Sequence, residues 1–148
     1  MSKWEMVKLG DVCDIERGGS PRPIENYITE DENGVNWIKI GDAPSDSMYI
    51  SQAKQRIKPE GIKKSRYVKY GDFLLSNSMS FGRPYILRIE GCIHDGWLVL
   101  RDKCNYFHKE YLYYALSSQS TIEKFKSLAV GGVVNNLNTT VVKQVKIP

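Results

Sequence analysis

Short apolar runs, interrupted by glycine, proline and small polar residues, dominate the first two thirds of this 148-residue chain. Residues 35–40 are apolar and β-branched, which is typical of a buried strand. Tyr85, Leu87 and Ile89 recur at every second position, which is the period of a strand, and residues 97–100 form another short apolar run. The pattern predicts a chain built mainly of strands and loops.

One segment shows helical periodicity instead. Apolar residues within positions 108–128 fall near one face at a spacing of about 3.6, which predicts a helix over this range. These residues are Leu112, Ala115, Leu116, Ile122 and Phe125. Gly131 and Gly132 follow and can stop the helix, and residues 141–147 are expected to form a final strand. The predicted fold class is α+β, a β-rich mixed domain with one principal helix near the C-terminal end.

Shorter segments connect these elements. Residues 17–23 contain two glycines and two prolines, which predicts a loop. Residues 59–65 begin with a proline, which suits the first position of a helix, and are expected to form one helical turn. Residues 4–15 are expected to lead into a short strand or a single helical turn.

The composition favours one folded domain. Hydrophobic residues make up 41% of the chain, so it can bury a core, and its net charge of +4 permits a nucleic-acid surface without requiring one. The three cysteines are widely spaced and odd in number, which fits a reducing cytoplasm. The amino terminus lacks an apolar signal segment and no run approaches the roughly 18 apolar residues of a membrane helix. We therefore expect a cytoplasmic protein with no membrane contact.

The motifs of common DNA-modifying enzymes are missing from the sequence. No acidic residue stands two positions before a lysine, the arrangement that places a metal and a base on one strand of a nuclease. A methyltransferase is disfavoured because no cofactor-binding glycine loop and no Asn-Pro-Pro or Asp-Pro-Pro turn is present. Cys92, His94, Cys104 and His108 do not have the spacing of a zinc finger. We expect a binding module without catalytic residues, metal or cofactor, and keep a stand-alone nuclease as the last alternative.

Small polar and basic residues concentrate in the predicted loops. The strand-like run 73–75 opens into serine and asparagine, and Arg83 then stands between Gly82 and Pro84. Lysine and arginine neutralise phosphates, arginine or lysine pairs with guanine, and asparagine or glutamine pairs with adenine. This chemistry suits a DNA surface, although a solvated turn has a similar composition.

Four motifs in order carry a resemblance to a known family. They are residues 9–21, residues 37–42, residues 71–86, and residues 135–138 followed by residues 145–148. In this order and at these separations, the chain resembles a target recognition domain of the DNA specificity subunit of type I restriction-modification systems. The resemblance covers nearly the whole chain, and the four loose motifs together are more specific than any one of them.

The resemblance implies a mixed, β-rich domain that lays loops and strand ends in the major groove and reads one half of a split target. By position, it implies these DNA-binding residues: Arg17, Ser20, Arg22, Lys39, Ser76, Asn77, Ser78, Arg83, Asn135 and Asn136. The sequence departs from the family at residues 77–82, where the family often has Arg-Gly-Thr-Ile-Gly and here the basic residue is Arg83. Trp37 and Asp42 are expected to be scaffold, with Asp42 able to orient Lys39.

The resemblance also implies partners besides double-stranded DNA. A methyltransferase subunit that binds S-adenosylmethionine and an ATP-driven restriction subunit would supply the catalysis and the cofactors. A second recognition domain or a second copy of the chain would read the other half-site. Residues 1–148 are expected to be a single recognition domain without the family's long spacer helix. Two alternatives stay open: a recognition domain of a single-chain restriction-methylation enzyme, and a protein-interaction or decoy module that has lost DNA binding.

Overall fold

The structure, a computed structural model, describes residues 7–44, 46–76, 83–102, 109–129 and 139–147. The strands in chain order are β1 (Val7–Lys8), β2 (Cys13–Arg17), β3 (Ile28–Thr29), β4 (Val35–Ile38), β5 (Tyr49–Ile50), β6 (Gln55–Ile57), β7 (Arg66–Val68), β8 (Phe73–Ser76), β9 (Pro84–Leu87), β10 (Gly91–Ile93), β11 (Trp97–Asp102) and β12 (Lys146–Ile147). The α-helices are α1 (Leu9–Val12), α2 (Lys109–Ser117), α3 (Gln119–Ala129) and α4 (Thr139–Lys143). Three 3₁₀ segments occupy Ile24–Asn26, Ile40–Asp42 and Pro59–Lys64.

Most of the described strands form two five-stranded sheets. The β11 sheet has the order β2-β11-β8-β9-β5, and the β10 sheet has the order β3-β6-β4-β10-β7. Each sheet has one parallel pair, β5 with β9 and β4 with β10, and its other neighbours are antiparallel. Since β10 and β11 are consecutive, residues 94–96 carry the chain directly from one sheet to the other.

Two central strands of the β11 sheet, β8 and β9, are buried on both faces. Phe73 and Leu75 of β8 pack in a core cluster with the helices. Leu74, between them, packs in a second cluster with Trp97 and Val99. Successive side chains of a strand point to opposite faces, and here both faces are covered, so every residue of β8 is buried. Exposed polar side chains can then gather only where these central strands end.

The predicted strands are confirmed where apolar periodicity was strongest. β4, β9 and β11 occupy the predicted regions around residues 35–40, 85–89 and 97–100. The loop predicted at residues 17–23 starts immediately after Arg17, the last residue of β2, and the helical turn predicted at residues 59–65 is a 3₁₀ segment. The α+β fold class is therefore confirmed.

The single helix predicted over residues 108–128 is instead two helices, α2 and α3, separated by Ser118. The Ser118 hydroxyl donates to a carbonyl of α2 at 2.9 Å and accepts the N–H of Thr121 at 3.3 Å. A serine bonded in this way competes with the helical ladder and caps the next helix. Leu112 and Phe125 are buried on the predicted face. No helix in the described part of the chain is long and apolar enough to cross a membrane.

The strand predicted at residues 141–147 is wrong over most of its length. Helix α4 extends to Lys143, and only Lys146–Ile147 is a strand. Val142 and Val145 are both buried, and the N–H of Val145 donates to the carbonyl of Val142 at 3.1 Å. The three-residue spacing places both valines on one side of a helical turn. The apolar character of this run reflects burial against the core, which a helical turn achieves as well as a strand.

Gly18 lies where the chain leaves β2 and passes the link between the sheets. Its N–H donates to the carbonyl of Trp97 at 2.9 Å. A Cβ at Gly18 would overlap the backbone oxygen of His94, so the main chain would have to move. A Cβ at Gly41 would meet no atom within 4 Å. The two glycines therefore form a matched pair for testing the close approach.

We expect Gly18→Ala to lower the free energy of unfolding by about 1–3 kcal/mol, the usual cost of forcing extra atoms into a packed site. Gly41→Ala should leave the free energy of unfolding unchanged or raise it slightly, because alanine restricts the unfolded chain. Urea denaturation of both variants beside the original chain measures the difference. Equal stability of the two variants would contradict the close approach at Gly18.

Candidate nucleic-acid interface

Strand ends of the β11 sheet bring three of the predicted DNA-binding residues to one end of the fold. Arg17, the last residue of β2, is in register with Leu98, and Ser76, the last residue of β8, is in register with Trp97. Arg83 immediately precedes β9, and its carbonyl accepts the N–H of Ser76 at 3.0 Å. With β11 and β8 between them, β2 and β9 lie about 14 Å apart.

The β10 sheet adds residues at the same end. Ile93, the last residue of β10, is in register with Ile38, the last residue of β4, so Lys39 follows beside the link 94–96. The N–H of Gly19 donates to the carbonyl of Ile93 at 3.1 Å. This bond lays the loop after β2 against the link.

We call this end of the two sheets the polar edge. It comprises the six described members of the predicted set, Arg17, Ser20, Arg22, Lys39, Ser76 and Arg83, together with His94 and Asp95. The other four predicted residues, Asn77, Ser78, Asn135 and Asn136, lie outside the described residues.

An open groove of about 850 Å³ runs along part of the polar edge. Ser20, Arg22 and Lys39 contribute to its polar lining, and Ile24 and Trp37 are among its apolar residues. Apolar walls beside cationic and hydroxyl groups suit a nucleic acid, because base edges and thymine methyl groups present apolar and polar surface together. The groove thus joins three predicted residues that are separate in the sequence.

Lys39 is held at both ends. Its N–H donates to the Asp42 carboxylate at 2.9 Å, and its ammonium donates to the side-chain oxygen of Gln55 at 2.6 Å. The other oxygen of Asp42 accepts the N–H of Lys54 at 3.1 Å. Asp42 therefore orients Lys39 through the backbone, whereas Gln55 orients the charged group.

Arg83 and Ser76 play different parts in the structure. The Ser76 side chain is buried, with 2% of the residue exposed, and its hydroxyl accepts the N–H of Arg83 at 3.0 Å. This contact closes the end of the β8–β9 pair. Arg83 is exposed, and its guanidinium lies 5.6 Å from the centre of the Tyr85 ring. The hydroxyl is thus placed to fix the backbone, whereas the guanidinium lies at the surface.

Asp95, which the sequence did not single out, contacts three of the predicted residues. Its carbonyl accepts Arg17 Nε at 3.0 Å, and its carboxylate accepts the Ser20 hydroxyl at 3.2 Å and lies 3.6 Å from the Arg22 guanidinium. Burial raises the pKa of the Asp95 carboxyl, but the hydrogen bonds from His94 and Ser20 outweigh it, so the pKa lies below the ordinary 3.8. Asp95 is therefore an anion at neutral pH.

His94 faces backbone donors at both ring nitrogens. The N–H of Ile40 lies 3.0 Å from Nε2, and the N–H of Gly96 lies 2.8 Å from Nδ1. A neutral ring has one acceptor nitrogen and can accept one of these two N–H groups, whereas a doubly protonated ring can accept neither. Nδ1 also lies 3.5 Å from the Asp95 carboxylate, to which it can donate. Burial, the largest cause, lowers the pKa of His94 below 6.5, and the attraction of Asp95 opposes it only in part.

The sequence did not predict that the link 94–96 belongs to the site, because His94 was considered as a zinc ligand and not as part of a turn. An Asp-Gly pair between two apolar runs is a turn signal, and it could have placed Asp95 and Gly96 at a strand-to-strand corner. Within the described ranges, no three His, Cys, Asp or Glu residues are grouped to hold a metal. Cys104 and His108 lie outside the described residues.

We expect the thermal midpoint of unfolding to fall as the pH is lowered through about 6.5. Because the pKa of His94 is depressed in the folded chain, the unfolded chain takes up the proton first. The stability due to neutral His94 is therefore complete above pH 6.5 and is lost as the pH falls toward the folded pKa. Melting curves of the original chain and of His94→Gln, taken between about pH 7.5 and 5.5, should show the flatter profile in the variant. The other histidine, His108, is common to both proteins, so identical profiles would remove His94 as the cause.

Comparison with known proteins shows which family the chain resembles. The model of the type I restriction modification DNA specificity domain matches residues 1–148. The type I restriction enzyme MjaIX specificity subunit of Methanocaldococcus jannaschii is 26% identical over 149 residues, which cover 98% of this chain and 34% of that protein. The HsdS subunit from Thermoanaerobacter tengcongensis superposes with a TM-score of 0.69 at 23% identity, over 98% of this chain and 32% of that one. The type I restriction-modification S subunit from M. genitalium has a TM-score of 0.66 at 16% identity, over 98% and 34%.

These structural likenesses support the fold of two mixed sheets with a few helices. The chain spans about a third of the length of these relatives. The family model extends over every residue of the chain. The chain therefore belongs to the family of type I restriction modification DNA specificity domains.

Proposed function

We propose that the chain reads one half of a split target in double-stranded DNA, without catalysing a reaction, and that the polar edge is the reading surface. The observation that supports this most is the convergence of the six described candidate residues on one end of the fold. Five of them are exposed or partly exposed there, and the buried Ser76 holds the backbone of Arg83. The distance across the edge, about 14 Å, is close to the roughly 12 Å width of the major groove. Strand ends and short loops could therefore enter that groove together.

Two arginines of the polar edge make weak contacts within the protein that DNA can replace. The Arg22 side chain is 81% exposed, and its ion pair with Asp95 is long, at 3.6 Å. Exposed pairs of this kind contribute at most about 1 kcal/mol, so a phosphate or a guanine edge can replace the carboxylate. Arg83 is exposed as well and has a stacked position over Tyr85. These two arginines are the strongest candidates for direct contact.

The partners follow from the shared family and the length of the relatives. We propose that the chain lies inside, or beside, a larger specificity assembly, because it spans about a third of the relatives' length. The widely spaced, odd-numbered cysteines fit a cytoplasmic assembly. A second recognition domain or a second copy would read the other half-site, and a methyltransferase subunit and a restriction subunit would carry out catalysis. A lone half-site reader with a net charge of +4 should bind weakly at physiological salt.

The test is selection of bound duplexes from a random-sequence pool by the immobilised chain at about 50 mM salt, where phosphate contacts give the most affinity. We expect enrichment of one motif of a few base pairs. Recovery of duplexes without any common motif, or no binding at all, would contradict the proposal and would favour a module that has lost DNA reading.

Arg83→Ala should weaken binding to the selected motif by about 1–3 kcal/mol and relax the choice at one base position, if Arg83 pairs with guanine. If it meets only phosphate, the loss should be uniform over sequences and the salt slope should fall by about one unit. Titration of motif and scrambled duplexes at several salt concentrations separates the two results.

Arg88 provides the matched control. It follows β9 at the end opposite Arg83, is exposed, and stacks 3.8 Å from the Tyr49 ring centre. Arg88→Ala removes the same charge and a similar ring contact but should leave both affinity and motif unchanged. Equal losses from the two variants would show that net charge, and not the polar edge, governs binding.

A further inference from the structure

We propose that Asp95 is a specificity-determining residue, whose carboxylate accepts a hydrogen bond from the exocyclic amino group of a cytosine or adenine in the major groove. The proposal rests on the proposed function, because it assumes that the polar edge lies on DNA. It assigns the reading of a base to an acidic residue, although a carboxylate repels the phosphates of DNA.

The position of Asp95 is central and rigid. It stands in the link 94–96 between the two sheets, and its carbonyl accepts Arg17 Nε at 3.0 Å. Its N–H lies 3.4 Å from the Ser20 hydroxyl, which in turn donates to the carboxylate at 3.2 Å. A side chain that is already held in one place loses little entropy when it binds.

The negative charge of Asp95 makes contact with DNA phosphates unfavourable. A carboxylate repels phosphates, so where it contacts DNA directly its partner has to be a hydrogen-bond donor on a base. In the major groove the exocyclic donors are the amino groups of cytosine and adenine. Arg17 and Arg22 flank Asp95 and offset its repulsion of the backbone.

The carboxylate is accessible to such a donor. The Asp95 side chain is 44% exposed, and a carboxylate can accept about four hydrogen bonds. The Ser20 contact can therefore persist while a base amino group approaches. The pKa of Asp95 is lowered, so at neutral pH its carboxylate is ionised and can accept hydrogen bonds but not donate them.

The decisive variant is Asp95→Asn. The amide oxygen can keep the Ser20 contact, while the NH₂ group presents a donor where the carboxylate presented an acceptor. In the selection experiment, a motif position that holds cytosine should change toward adenine, guanine or thymine, whose major-groove edges carry an acceptor that cytosine lacks. At an adenine, with which asparagine also pairs, the duplexes without the amino group described below decide. We expect the preference at that position to change by about tenfold or more.

Asp31→Asn is the matched control. The Asp31 carboxylate is likewise held by a hydrogen bond, from the backbone N–H of Asn33 at 3.2 Å, but Asp31 precedes β4 at the end of that strand opposite Lys39. The same change of charge there should leave the motif unaltered. A change at the same base position in both variants would overturn the proposal.

A second measurement does not depend on the variant's stability. The original chain is titrated with motif duplexes in which the relevant base lacks its amino group, as in purine for adenine or 2-pyrimidinone for cytosine. We expect weaker binding by the original chain and little change for Asp95→Asn. Unchanged binding by the original chain, or a uniform loss in Asp95→Asn without a change of motif, would sink the role of Asp95 while leaving the proposed function standing. Absence of any motif for the original chain would overturn both.

Discussion

The polar edge depends on the direct passage of the chain from β10 into β11. Three residues, 94–96, span the two sheets, so the ends of both sheets must lie side by side. The N–H groups of Gly18 and Gly19 donate to carbonyls on either side of this link, at 2.9 and 3.1 Å. Since a Cβ at Gly18 has no room, the loop after β2 can pack this closely only with glycine. One short connection thus brings residues at the ends of β2, β4, β8, β9 and β10 to one place.

Ion pairs away from the groove tie the same elements together. Glu16 of β2 contacts Arg66 of β7 at 2.7 Å and Arg101 of β11 at 3.2 Å. Arg101 also reaches Asp72 at 3.3 Å and the carbonyl of Tyr67 at 3.1 Å. Half-exposed charges in a network with fixed geometry stabilise more than isolated surface pairs do. These two arginines connect the sheets, so their charge is compensated within the protein and is less available to DNA than that of Arg22.

The hydrophobic pattern of the sequence predicted strands correctly where an apolar run of strand length is also buried. β4 and β11 were predicted because apolar, β-branched runs of strand length suit a covered sheet. The break at Ser118 was missed because its side-chain hydrogen bonds interrupt an otherwise continuous apolar face. The run containing Val142 and Val145 was misassigned because an apolar segment of that length can bury the same side chains as a helical turn or a strand.

The sequence by itself determined the fold class, the family and the chemistry of the candidate contacts, since strand periodicity and residue type are local properties. The resemblance of its motifs to the family pointed to Arg17, Arg22, Lys39 and Arg83. Only the tertiary structure decided which of these lie together, and it added Asp95, which is 78 positions from the Arg17 that it contacts. Such contacts follow from the order and register of strands distant in the chain, and that order is set by the packing of the whole core.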